Sequence, residues 1–306
     1  MPLVKIKKTK HINAPIEKVY DIVSDLSQWQ AWSPWLMMDP DTHVDVKNRK
    51  DYSWEGARTG TGNMQITQEV QNESVDYNLN FLKPWKSKAK VRMEVKSNDG
   101  GTDVSWHMDS TLPWFMFWMK KTMETYIGMD YDRGLNLLKD YAEDGKVNSR
   151  LNFLGESEYS GCNYIGIKRT CSIAEMADSM TKSYQDLIPF AHSKEGLRPN
   201  DSICIYHKYD AVKDICEYTA GVPYDILPSN LPSHYMVGKQ KPTKIYTLEH
   251  VGPYHHLGNA WSTLQTMIRN KEIKIEKGYH PFETYGNSLK DTHPNELISR
   301  IHFAIK

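Results

Sequence analysis

The sequence predicts an α+β chain of two domains, and three observations carry that expectation. Between about residues 50 and 110 apolar side chains recur with a period of two, and helical stripes stand on either side. The second half repeats one strand–helix–strand–strand pattern, the second helical stripe following the first by 84 residues. Trp is unevenly spread: eight of the nine fall before residue 120, so the two halves have different interiors.

Val4, Ile6 and Ile12 with intervening lysines predict a first strand, although Lys8 and Lys10 interrupt its apolar side. Pro15 suits the first turn of a helix, where its missing N–H does no harm, and Ile16, Val19, Tyr20 and Val23 follow as a buried stripe. Trp29, Trp32 and Trp35 come next, and Pro34 argues against a regular helix running through them. The alternating sets are Met64, Ile66 and Val70; Val75, Tyr77, Leu79 and Phe81; Val91, Met93 and Val95; Val104, Trp106 and Met108. Turn residues such as Asn98-Asp99-Gly100-Gly101 separate them, which predicts an antiparallel meander. Met119, Met123, Ile127, Tyr131, Leu135, Leu138 and Tyr141 then mark a long closing helix that stops near Gly145.

A helix after the first strand, a curled antiparallel sheet and a long final helix make a helix-grip arrangement. The run from His11 to Tyr20, then Asp25 and Trp32-Ser-Pro-Trp35, resembles the opening of START/polyketide-cyclase (SRPBCC) domains, and Gly134–Lys139 resembles their final helix. The resemblance covers residues 1–145. It implies a cavity between sheet and long helix, often suited to apolar ligands. Inward Trp residues are more often core than ligand contacts, so the three-Trp segment is expected to be structural. No convergent acid, base and nucleophile stand in this half.

A polar, Gly-containing linker is expected from Asp144 to Ser160, with the second domain running from 156 to 306. There, Cys162 to Arg169 predicts a strand and Ile173, Met176, Ala177, Met180 and Tyr184 a helix. Leu257, Ala260, Trp261, Leu264 and Ile268 repeat that stripe, after a strand from Lys244 to His250. Two strands follow each helix: Ser202–Tyr206 and Asp214–Thr219, then Phe282–Tyr285 and Ile298–Ile305. The proline-rich stretch from Gly221 to Pro242 is expected to be a loop. Duplicates of this kind commonly pack about an approximate two-fold axis, which leaves a cleft on it.

The segment His250-Val-Gly-Pro-Tyr-His-His-Leu257, with Trp261 and Leu264, resembles the second-repeat signature of GyrI-like domains, also known as AraC-type effector-binding domains. Phe282–Ser288, Glu296-Leu297 and Ile301–Lys306 resemble their closing pattern. Ser288-Leu289 departs from the Asn-Pro ending usual after the Glu-x-Tyr, so the local turn is expected to differ. The resemblance implies a pocket glutamate at Glu283. On a strand Glu283 and Tyr285 share a face, and flanking Phe282 suggests an apolar setting. A desolvated carboxylate gains from an incoming cation, and aromatic faces add cation–π attraction. Tyr254, by motif position, and Tyr206 and Tyr164, by strand parity, are the expected wall residues. Glu249 has the parity opposite to Leu248 and is expected in solvent.

Composition narrows the function. Basic and acidic residues number 38 each, and the balance holds in both halves, so a nucleic-acid surface is not expected. Lys5, Lys7, Lys8 and Lys10, and then Lys86, Lys88 and Lys90, alternate as solvated strand faces do. The amino terminus lacks the apolar stretch of a signal peptide, no run approaches a spanning helix, and the four cysteines lack paired metal spacing. A cytoplasmic protein with reduced thiols and no membrane partner is therefore expected. His250, His255 and His256 are the nearest to a metal set, yet neighbours on a helix point apart and no third ligand is suitably spaced. Neither metal nor cofactor is expected. Three functions stay open: a sensor of amphipathic or cationic small molecules without its own DNA-binding part, a small-molecule hydrolase using Glu283, and an inhibitor acting through its surface.

Overall fold

The computed structural model describes residues 3–288 and 290–306. Leu289, half of the departure noted in the closing motif, lies outside the described residues. The chain divides into two compact units, Met1–Ser149 and Arg150–Lys306.

The first unit is a seven-stranded antiparallel sheet ordered β1-β7-β6-β5-β4-β3-β2. Its strands are β1 (Leu3–Ile12), β2 (His43–Asn48), β3 (Asp51–Gly56), β4 (Gly60–Val70), β5 (Ser74–Lys83), β6 (Ser87–Asn98) and β7 (Gly101–Thr111). Its helices are α1 (Ile16–Val23), α2 (Trp29–Trp32), α3 (Pro34–Met38) and α4 (Lys120–Asp144). Pro34 does break the Trp-rich segment: α2 ends before Ser33, whose Oγ accepts from Leu36 N at 3.4 Å and starts α3. Gly145, at φ 72°, closes α4 by donating to the Tyr141 carbonyl, a left-handed stop that glycine adopts without strain. The alternation in β4 fails at one point. A register shift between Ile66 and Gln68 turns Val70 outward, and Glu69 there pairs with Arg49 and Lys50.

Lys8 breaks the apolar side of β1 for a visible reason. It lies under α4, where its Nζ meets Asp132 at 2.6 Å beside Gly128. In the space between sheet and α4, Trp106 stacks on Tyr131 with ring centres 4.2 Å apart, and Trp29, Trp32 and Trp35 pack edge-on against it. A Cβ at Gly134 would stand 2.7 Å from the Trp106 ring, so glycine lets the helix seat directly on the tryptophan. The three-Trp segment is thus part of this core.

The second unit is one eight-stranded antiparallel sheet ordered β12-β9-β11-β10-β14-β15-β13-β8. The strands are β8 (Arg150–Tyr159), β9 (Cys162–Cys171), β10 (Ile203–Asp210), β11 (Ile215–Tyr224), β12 (Met236–Gln240), β13 (Thr243–Val251), β14 (Phe282–Tyr285) and β15 (Ile298–Ala304). Helix α5 (Met176–His192) follows β9 and α6 (Gly258–Arg269) follows β13. The repeat is plain in the order: β9-β11-β10 and β13-β15-β14 have the same internal sequence, and they meet where β10 pairs antiparallel with β14.

Two expectations are corrected. The segment from Asp144 to Ser160 is not a linker throughout, because β8 pairs along its length with β13. A second domain begun at residue 156 would cut that strand. The loop expected between the copies contains the end of β11 and all of β12, which pairs with β9. Both missed strands are edge additions with weak alternation, so periodicity did not mark them. They also explain Glu249, which is not solvated as expected: β8 brings Asn152 opposite it, and its carboxylate accepts from Asn152 Nδ2 and Arg300 Nε at 2.9 Å each. Among the described residues no helix is long and apolar enough to cross a membrane.

Candidate functional site

Alternation on two paired strands builds the site. Cys204 on β10 stands directly opposite Glu283 on β14, at the seam between the copies. Two residues further along each strand come Tyr206 and Tyr285, on the same face as their partners. Both phenols therefore converge on one carboxylate. Tyr206 Oη and Tyr285 Oη each donate to Glu283 Oε2 at 2.9 Å. Trp261, from α6, donates its indole N–H to Oε1 at 2.5 Å.

Glu283 is only 1% exposed. Burial raises its proton affinity above the usual carboxylate range, and the bonds from Trp261, Tyr285 and Tyr206 work the other way. No cationic side chain is among the groups that shift it. Burial and the nearby thiol and carboxylate also push Tyr206 well above a normal phenol, so both donors keep their protons at neutral pH.

Aromatic rings surround the carboxylate. Tyr206 meets Trp261 edge-on at 4.9 Å, Tyr184 of α5 meets Tyr285 at 5.9 Å, and Tyr254 meets Tyr285 at 6.0 Å. Tyr184, Trp261 and Tyr285 are half-buried, whereas Tyr254 is exposed. The carboxylate thus lies one side chain below the surface, between rings from both copies. Such a place suits a cation: the rings offer their negative faces, and the buried carboxylate offers a full charge.

Of the expected wall residues, the structure brings Tyr206, Tyr285 and Tyr254 to Glu283 but not Tyr164. Tyr164 packs with Ile203, Ile205, Ile245 and Phe282 on the opposite sheet face, its ring filling the space over Gly238. The register explains the error. Gly166, two residues on from Tyr164, pairs with Gly221, and Gly221 pairs with Ile203, which is one residue out of step with Cys204. Phe282 likewise faces away, so it is not the apolar wall of the carboxylate. Sequence reasoning placed Trp261 and Tyr184 on helical stripes and missed them as site residues. The signal available was the duplication itself, which puts both stripes over the β10–β14 seam.

His250 is buried, and burial with the neighbouring His256 and His255 pulls it down to about 3. It is neutral at physiological pH. The His255 and His256 rings lie 4.2 Å apart, one exposed and one buried.

Residues 160–306 match a family described as the GyrI-like small molecule binding domain. Residues 4–143 match the family described as polyketide cyclase / dehydrase and lipid transport. The chain joins these two domains. Residues 160–306 thus resemble a small-molecule binding domain, and the Glu283 site lies among them. Solved structures similar to this chain include the EcmrR C-terminal domain, at 16% identity over 52% of this chain and 98% of that one, with a TM-score of 0.40. EcmrR in its DNA complex is 13% identical over 63% of this chain and 72% of that one, with a TM-score of 0.42. The Aha1 dimer protein from Colwellia psychrerythraea is 17% identical over 47% of this chain and 98% of that one, with a TM-score of 0.35. No curated protein sequence matches the chain.

Proposed function

We propose that the GyrI-like domain captures an amphipathic cation at Glu283, and that the chain is a ligand sensor. One observation carries this reading: a carboxylate 1% exposed, ringed by aromatic side chains and held by three neutral donors, has no cationic side chain among the groups acting on it. Desolvating such a group costs several kcal/mol, and neutral donors recover only part of that. A bound cation supplies the rest. The balanced charge of both halves supports a role that does not involve gripping nucleic acid directly.

A second reading has its own support. A buried carboxyl with raised proton affinity and two adjacent phenols is also the equipment of a general base acting on water. Titrating the purified protein with an aryl trimethylammonium and with its uncharged tert-butyl isostere tests the first reading. Saturable binding that strongly prefers the cation, without turnover, supports the sensor. Equal affinity for both compounds refutes it, and hydrolysis of ester or lactone probes that Glu283→Gln abolishes selects the enzyme.

A further inference from the structure

The first unit carries an aromatic surface that its core does not use. Trp114, Phe115, Phe117 and Trp118 are 75%, 60%, 66% and 68% exposed, on a short 3-10 helix (Trp114–Met119) between β7 and α4. Trp85, 80% exposed, stands on the β5–β6 connection, and exposed Leu82 at the end of β5. Sheet register puts these two segments at one end of the sheet. Phe81 and Ser87 form the last β5–β6 pair, so Leu82 to Lys86 project beyond it. Ser110 Oγ donates to the Lys88 carbonyl at 3.3 Å, so β7 runs out beside the same turn just before Trp114. Exposed aromatics grouped in this way are unusual on a surface that meets only water.

Basic side chains outnumber acidic ones around them, where Glu55, Asp109 and Glu124 are the neighbouring carboxylates. Lys83, Lys86, Lys88 and Lys90 lie in a stretch with no acidic residue between Asp76 and Glu94, and Lys120 and Lys121 in one with none between Asp109 and Glu124. All six are exposed. Lys83 reaches Glu55 at 3.3 Å and Lys120 reaches Glu124 at 3.8 Å, surface pairs that screen these charges only in part. Trp and Phe flanked by lysines match the boundary of an anionic bilayer, where rings sit at headgroup depth and ammonium groups meet lipid phosphates. A second copy fits less well, because a self-complementary contact would bring lysines against lysines.

We propose that this end of the sheet docks peripherally on an anionic lipid membrane. The expectation of no membrane partner rested on the lack of a spanning segment, which does not bear on surface docking. Sedimentation of the full chain with phosphatidylcholine vesicles, with and without phosphatidylglycerol, tests the proposal. The wild type should pellet with the anionic vesicles at low salt and be released by high salt. The W114S/F117S/W118S variant and, separately, the K86E/K88E variant should each lower partitioning by about tenfold or more. These side chains are exposed, so thermal melts should be unchanged and a folding defect is separable. Absence of pelleting, equal pelleting with neutral vesicles, or equal pelleting of wild type and the aromatic variant would overturn the proposal. So would a wild-type dimer, seen by sedimentation equilibrium, that the aromatic variant dissociates.

Discussion

Replacing Glu283 by Gln isolates the charge while keeping the shape. The carboxylate accepts from Trp261 at Oε1 and from Tyr206 and Tyr285 at Oε2. A glutamine can turn its carbonyl oxygen to the indole, because the indole N–H can only donate, and aim its NH₂ at the two phenol oxygens, which can accept. The site therefore keeps its bonds and loses one negative charge. A cation about 4 Å from that carboxylate gains roughly 4 kcal/mol at an effective dielectric of 20. Desolvation of the cation takes back a share, and cation–π attraction to the rings survives the substitution. A net loss of about 1.5–3 kcal/mol remains, or roughly a ten- to hundredfold weaker Kd. Calorimetric titration with the aryl trimethylammonium and its tert-butyl isostere reads this directly: Glu283→Gln should weaken the first and barely move the second. An unchanged preference for the cation would refute the argument. Stability supplies a second reading. A carboxyl raised in the fold stabilises fully below its usual 4.5, and that contribution is lost as pH rises through the raised value. Without ligand, Glu283→Gln should therefore melt no lower than wild type at neutral pH, and its relative advantage should shrink under acid.

Tyr206→Phe or Tyr285→Phe removes a bond that lowers the proton affinity of Glu283, so the acid loss of cation binding should move to higher pH, while Glu283→Gln has no such limb; titrations across pH check both. Fragments 1–149 and 150–306 should each fold cooperatively, whereas 160–306, which lacks β8 and bares the edge of β13, should melt lower in thermal scans. His302, buried between Thr247 and Thr284, is lowered to about 4, so its contribution is full above 6.5 and lost as pH falls from 6.5 toward 4. Its full loss is worth roughly 3 kcal/mol at most. His302→Gln should flatten the acid fall in melting temperature over that window, leaving the part due to His250.

Most of the fold was legible because strong periodicity marks elements that bury a full face. The stripe from Met119 to Tyr141 and the alternation from Val75 to Met108 became α4 and the centre of the first sheet. Edge strands β2, β8 and β12 were not legible, since each half-buries its residues and pairs on one side or at a sheet margin. The site was half legible. Parity within one strand joins Glu283 to Tyr285 and offers Tyr206 and Tyr164 alike, but only the cross-strand register keeps Tyr206 and removes Tyr164. The run Trp114–Trp118 carries no periodic signal of its own, and the structure shows Trp114, Phe115, Phe117 and Trp118 exposed.

The duplication makes the site possible, and its asymmetry makes the site chemical. The β10–β14 pairing puts Cys204 against Glu283 and leaves Tyr206 and Tyr285 at matching positions two residues on. Two carboxylates facing each other across that seam would repel within a buried space, and one would hold its proton. Two thiols would give no charge to bind. With a cysteine on one copy, whose thiol burial and the Glu283 carboxylate keep protonated, a single negative charge stands on the axis. Each copy then contributes one phenol, and the second adds the indole of Trp261 where the corresponding helical position of the first holds Ala177. That small residue leaves α5 to offer Met180 and Tyr184 instead, a softer and less polar wall. On the cation-sensor reading proposed above, a ligand at Glu283 meets donors and charge on one side and thioether and ring edge on the other. That division favours a molecule with one cationic end and one apolar end.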